Sequence, residues 1–280
     1  MILSLKTKSI LVFFAVFASF LYIIHVQAFA QDAEADTSFP QGNFSALRDM
    51  GKADVLEVIT PYTIKLNNGD IIRLSGLHMT DYTADHAGPF ALTALKIMKD
   101  MLEDESVTIY QTTRKDWGRK NRMGHTLAHL VRNKDNAWAQ GTLVGLGLAQ
   151  VKTSQRNPEM AEQLYALEKA ARLDKTGIWA NEKLVLSVED TTNHINSFQI
   201  VKGVVQSAAL KKNRVYLNFG KNWRDDFTIT IAPEDKRFFT KAGHNPLDWN
   251  GKKIRVRGWI EDYNGPNIEI NHPQSLEVLE

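Results

Sequence analysis

From residue 53 onward, apolar and polar positions trade places in short, regular stretches. VLEVI (55–59), TIKL (63–66) and IIRLS (71–75) are apolar with strand-like spacing, the mark of half-buried strands. NNGD (67–70) between the last two predicts a hairpin turn, because Asn and Gly tolerate the positive φ such turns need. The period then changes. In GPFALTALKIMKDML (88–102), Phe90, Ala91, Ala94, Leu95, Met98, Met101 and Leu102 recur at helical spacing, with Pro89 in the first turn. SVTIYQTT (106–113) and HTLAHLV (125–131) return to strand. AWAQGTLVGLGLAQV (137–151) predicts a helix ending near Gly147. NPEMAEQLYALEKAARLDKTGIW (157–179) predicts another, with Asn157 as its cap, Pro158 at its first position and Gly177 past its end.

Five strands, with helices after the third strand and at the end, predict a small closed barrel of OB type over residues 53–180. Residues 181–196 read as a linker. A second strand-rich set follows: 198–208, 214–220, 226–232, 252–263 and 267–270, with a short helix over 233–243 between the third and fourth. The fold class is therefore mainly β with α (α+β), an OB-type barrel followed by a second, smaller OB-like β-barrel over 197–280.

Composition changes this picture at the N-terminus only. The chain has 280 residues, 43% hydrophobic and 24% charged, with a formal net charge of +2, so charge alone selects no partner. Lys6 and Lys8 precede an almost wholly apolar run, ILVFFAVFASFLYII (10–24), and then QAFAQ places Ala28 and Ala30 at small-residue spacing. This is the layout of a secretory leader over residues 1–30, cut after Ala30, which predicts an exported protein, periplasmic or secreted. An uncleaved anchor is the alternative. Residues 31–52 are polar and aperiodic and read as a linker. There is no cysteine, which excludes disulfides, thiol nucleophiles and thiolate metal sites.

The chemistry concentrates in RLSGLHMTDY (73–82), where an apolar run carrying Arg73 ends in a glycine and then offers His78, Thr80 and Asp81. Several stretches stand in the order of one known family. They are VITPYTIKL, IIRLSGLHMTDY, GPFALTA, NRMGHTLAHLV, LVGLGLAQV and ARLDKTGIW. In these, residues 53–180 resemble the staphylococcal nuclease (thermonuclease) family. The resemblance implies a calcium-dependent phosphodiesterase of DNA and RNA. Two aspartates would bind the metal, a glutamate would help to activate water, and two arginines would hold the phosphate. Carried over residue by residue, the metal positions fall on Tyr62 and His78, the glutamate on Asp81, and the arginines on Arg73 and His125. Only Arg73 is unchanged, and Asp81 stays acidic. Calcium prefers several oxygen ligands, carboxylates above all. A phenol that ionises near pH 10 and an imidazole are poor substitutes. His125 replaces a permanent bidentate cation with one that is mostly neutral at pH 7. No cofactor is expected, and calcium only if the family activity survives.

Three readings follow. The first is a binding protein that has lost calcium-dependent nuclease chemistry, with nucleic acid or a protein of the cell envelope as partner and no stable membrane span once the leader is removed. The second is a divergent phosphodiesterase using Arg73, Asp81 and His125, with or without another metal. The third is a structural or interaction module of the envelope. Nucleic-acid contact is expected at RKDWGRKNRMGH, through Arg114, Lys115, Trp117, Arg119, Lys120 and Arg122, because cations attract phosphate and an exposed aromatic stacks on bases. Arg119 is also an alternative arginine for the pocket. A second basic stripe is expected on one face of KKIRVRG, from Lys253, Arg255 and Arg257. Tyr216, Phe219, Trp223 and Trp259 read as barrel core, with stacking surface as the alternative.

Overall fold

The computed structural model describes residues 39–115, 118–222 and 225–279. The expected leader, linker residues 31–38, Trp117 and Trp223 lie outside the described residues. From Phe39 to Glu280 the chain is one compact unit. Among the described residues no helix is long and apolar enough to cross a membrane.

In chain order the first half contains β1 (Leu47–Thr60), β2 (Thr63–Leu66), β3 (Ile71–Leu74), β4 (Leu77–His78), helix α1 (Pro89–Leu102), β5 (Ser106–Thr112), β6 (Thr126–Arg132), α2 (Ala139–Gly145), β7 (Gln150–Val151) and α3 (Ala161–Leu173). Strands β1, β2, β3, β6 and β5 close into a barrel in that order. All pairs are antiparallel except β3 with β6, where Ile72, Arg73 and Leu74 lie beside Thr126, Leu127 and Ala128. Val55, Val58, Ile64, Leu66, Ile72, Leu74, Val107 and Leu130 fill the interior. The helix α1 adds Ala91, Ala94, Met98, Met101 and Leu102, its apolar stripe.

Three sequence expectations change here. Residues 47–52 belong to β1 and not to a linker. Arg48, Asp49, Met50 and Lys52 are exposed there; a register shift between Asp49 and Lys52, with Gly51 at φ +93°, interrupts the ladder to β5, with which β1 pairs over Leu47–Asp54 before pairing with β2 over Val55–Thr60. The expected helix over 137–151 covers only Ala139–Gly145, because Gly147 adopts φ +61°. The expected helix over 157–179 runs from Ala161 to Leu173. Asn157 does not cap it; its side-chain amide donates to Gly118 O at 2.9 Å.

The second half begins inside the expected linker 181–196, where β8 (Val185–Ser187) pairs in parallel with β9 (Ser197–Val204). There follow β10 (Ser207–Lys211), β11 (Arg214–Asn218), β12 (Thr228–Ile231), α4 (Lys236–Lys241), β13 (Lys253–Asp262), β14 (Pro266–Glu269) and β15 (Leu276–Leu279). The sheet order is β10-β11-β12-β14-β13-β9-β8, with β15 on β13. Only Val205 and Gln206 separate β9 from β10. Val205 N donates to Lys252 O, and Gln206 N to Asn218 O, so the chain runs on from β9, which lies between β13 and β8, into β10 at the opposite end of the path. The order, the parallel pair (β12 with β14) and the helix before the fourth strand repeat the first barrel.

The seam between the barrels is polar and buried. Arg257 on β13 is 3% exposed and donates to both carboxylate oxygens of Glu168 on α3, at 3.0 and 2.9 Å, to Val151 O at 2.8 Å and to Glu277 at 2.8 Å. Burial alone opposes the guanidinium charge, but Glu168, Tyr165 and Glu277 more than offset it and raise the Arg257 pKa. Tyr165, under Arg257, is pushed up to about 12 by burial, and its hydroxyl donates to Gln274 O. His272 meets Thr153 at 2.8 Å, and the Gln155 amide donates to Asp235 at 3.0 Å.

Candidate functional site

The β3 strand and the loop after it carry the positions singled out in the sequence. Arg73 lies with its guanidinium carbon 3.5 Å from the centroid of the Tyr62 ring, and its Nη1 donates to Thr63 Oγ1 at 3.1 Å. Tyr82 meets the same ring edge-on at 5.3 Å. Burial raises the Tyr62 pKa, although Arg73 pulls the other way, so the phenol stays protonated at neutral pH. The Arg73–Tyr62 stack is a cation–π contact.

His78 pairs with Gln150 through the short β4–β7 ladder. Its ring lies 4.6 Å from Phe198, which comes from β9 of the second barrel. Lys152 Nζ stands 5.0 Å from the same Phe198 ring. Burial first, and the Lys152 charge second, lower the His78 pKa to about 4, so the imidazole is neutral at pH 7. Lys152 itself is lowered by burial and by Arg73.

Asp81 has a structural use. Helix α1 opens at Gly88, which has no side chain to cap it. The loop folds back, Gly88 N donates to Asp81 O, and Asp81 Oδ2 accepts the N–H groups of Phe90 and Ala91 at 2.9 and 3.2 Å. The carboxylate thus satisfies two of the four orphan donors of the helix N-terminus. Gly88 is required for this approach, since a Cβ there would fall 2.5 Å from Asp81 Oδ2. His125 ends a tight turn in which Asn121 Oδ1 accepts its backbone N–H at 3.0 Å. Among the described residues, no hydrogen bond joins the His125 ring to Arg73 or Asp81.

These residues do not fit calcium. They offer one protonated phenol, one neutral imidazole beside a lysine, and one carboxylate with an oxygen committed to a helix, where calcium takes six to eight oxygens. Among the described residues no three His, Asp or Glu side chains gather as a ligand set, for calcium or for zinc.

The basic residues divide. Lys115, Lys120 and Arg122 are exposed on the β5–β6 loop. Arg119 is held on the end of β5, with Nε donating to Thr112 O at 3.1 Å and Nη2 to Thr113 O at 3.3 Å. Arg114 donates to Gln155 O at 2.6 Å on the side facing the second barrel. Lys253 is exposed, whereas Arg255 is paired with Glu277 at 3.4 Å. Arg257, expected on a phosphate-binding stripe, is instead locked in the seam: strand alternation put it on one face with Lys253, but the other barrel covers that end of the strand. Of the aromatics expected as core, Phe219 is buried against Phe227, Tyr216 is half-buried and Trp259 is 51% exposed.

A cleft of about 980 Å³ opens beside His78, between the barrels, with Tyr82, Gln150, His194, Phe198 and Trp259 in its walls. Lys152 and Phe198 were not found by sequence reasoning. No local pattern marks either, because their meaning comes from the docking of the second barrel on the first.

Residues 55–181 match the model of the family described as staphylococcal nuclease homologue. No curated protein is similar to the chain in sequence. The matched span runs from the last part of β1, Val55–Thr60, through the turn after α3, taking in the other barrel strands and the three helices, and so the chain carries a staphylococcal nuclease-type domain over residues 55–181.

Proposed function

We propose that this is an exported protein that binds nucleic acid and does not cleave it by calcium chemistry. A nuclease-type domain speaks for nucleic acid as the ligand class. The observation that carries the loss of cleavage is the chemistry at the two expected metal positions: a protonated phenol stacked on Arg73 and a neutral imidazole against Phe198, where calcium needs carboxylate oxygens. Export rests on the basic and apolar N-terminal run and the Ala28–Ala30 spacing. Exposed Lys115, Lys120 and Arg122 supply the phosphate contacts.

The divergent phosphodiesterase is the weaker reading. It needs Asp81 free to take a proton and His125 within reach of Arg73, whereas Asp81 Oδ2 holds α1. The test is fluorescence anisotropy of labelled single- and double-stranded DNA with the full chain in chelator, over a salt series. Binding that weakens steeply with salt is expected. No binding at low salt would leave the envelope interaction module as the better account.

A further inference from the structure

The outer face of the second barrel is polar where a sheet face that merely meets water needs no burial. Strand alternation turns Val215, Leu217, Ile229 and Ile231 into the core and leaves Tyr216, Asn218, Thr228 and Thr230 on the other side. The ladders place Tyr216 beside Thr230, and Thr228 beside Asn267 of β14. These residues line a pocket of about 400 Å³, within the range of small-ligand sites. Thr230 is 2% exposed and Asn267 is 3% exposed, yet Thr230 Oγ1 and Asn267 Oδ1 have no hydrogen-bond partner among the described residues. Buried polar atoms are nearly always paired, and each one left without a partner costs free energy. Two of them in one pocket point to a ligand that supplies the missing partners.

The rim states the ligand's chemistry. Tyr216 forms one wall, and Tyr263, 59% exposed in the β13–β14 turn, forms another. Lys211 and Lys221 stand at the edge. Flat aromatic walls, two inner hydrogen-bonding groups and outer cations match a base, its edge and its phosphate. We propose that this pocket seats a base of single-stranded nucleic acid. The base stacks on Tyr216. An exocyclic amino group, as in adenine or cytosine, donates to Asn267 Oδ1, and Thr230 Oγ1 pairs with a neighbouring ring position. Lys211 and Lys221 meet the flanking phosphates. The proposal rests on the nucleic-acid reading above, and names the second barrel as the part that reads the base.

The test is anisotropy of the full chain with labelled dA, dC and dT homopolymers in chelator, for wild type and three variants. Tyr216→Ala is expected to weaken dA and dC binding roughly tenfold or more, and Tyr216→Phe to restore it, since the ring and not the hydroxyl stacks. Thr230→Val keeps the shape and removes an unpaired hydroxyl. It is expected to leave the melting temperature unchanged or higher while weakening binding, a combination that a merely structural residue would not give. If Tyr216→Ala fails to fold, Thr230→Val still decides. A chain that binds DNA with both variants unimpaired overturns the pocket and leaves the nucleic-acid reading standing. A chain that binds no oligonucleotide overturns both. Displacement of dA by maltohexaose, with variants that lose the sugar alone, would assign the pocket to a neutral glycan and overturn the proposal.

Discussion

Arg257 and Glu168 face each other across the seam between the two barrels, in a two-pronged ion pair with both side chains almost wholly withdrawn from water. The attraction is strong there because little solvent screens it, and removing one partner leaves the other buried and uncompensated. Glu168→Ala is therefore expected to cost about 3–5 kcal/mol in urea unfolding. Replacing both partners, with Arg257→Met and Glu168→Leu, is expected to recover much of that loss. A double variant as unstable as the single one would show that the pair acts through something other than charge burial.

Asp81 gives a second prediction. If its carboxylate holds helix α1, Asp81→Ala loses a cap worth about 0.5–2 kcal/mol, whereas Asp81→Asn keeps an acceptor oxygen and loses less. Equilibrium unfolding of the two variants measures the difference. Equal losses would contradict the capping role.

Stability should depend on pH in a direction set by buried histidines. Burial holds His78 at about 4 (Lys152 adding to the effect), His129 at about 3 and His272 at about 4. The unfolded value is about 6.5. Above that pH both states are neutral and stability is full. As pH falls below it, the unfolded chain takes up protons that the folded chain refuses, so stability declines from about pH 6.5 and these histidines stop contributing to the decline only below about 3. Denaturant titrations across this range should show the decline, and His78→Gln should make it shallower. A flat profile would mean that these rings protonate freely in the fold.

The loop cations predict a change in salt response. Lys115, Lys120 and Arg122 are exposed, and each phosphate contact contributes about −0.7 (single strand) to −0.9 (duplex) to the slope of log affinity against log salt. Replacing all three with alanine should reduce the slope by roughly 2–3. An unchanged slope would move the phosphate contacts elsewhere.

Much of the fold was legible because local pattern decides it. The strands and α1 announce themselves by a period of two that gives way to a helical one, and the barrel order follows. The first turn of α3 was misread because Asn157, suited to a cap, spends its amide on Gly118 O. Part of β1 was missed because Arg48, Asp49, Gly51 and Lys52 break its apolar pattern and Met50 faces water. In the site, the resemblance sets Tyr62 and His78 where metal carboxylates are expected. The uses that the fold makes of the site positions were not legible. Asp81 reaches Phe90 and Ala91 only once a loop closes on Gly88, and Phe198 meets His78 from 120 residues away once the second barrel docks. Arg257 shows the same limit: strand alternation gives it a face, but its partner Glu168 lies 89 residues distant and on a helix.

The most direct test incubates the purified full chain with labelled single- and double-stranded DNA and calcium, with a chelator arm beside it. With a phenol beneath Arg73 and a neutral imidazole beneath Phe198 in place of two carboxylates, the DNA should remain intact in both arms while staying bound. Calcium-dependent fragments that vanish with the chelator would contradict the account.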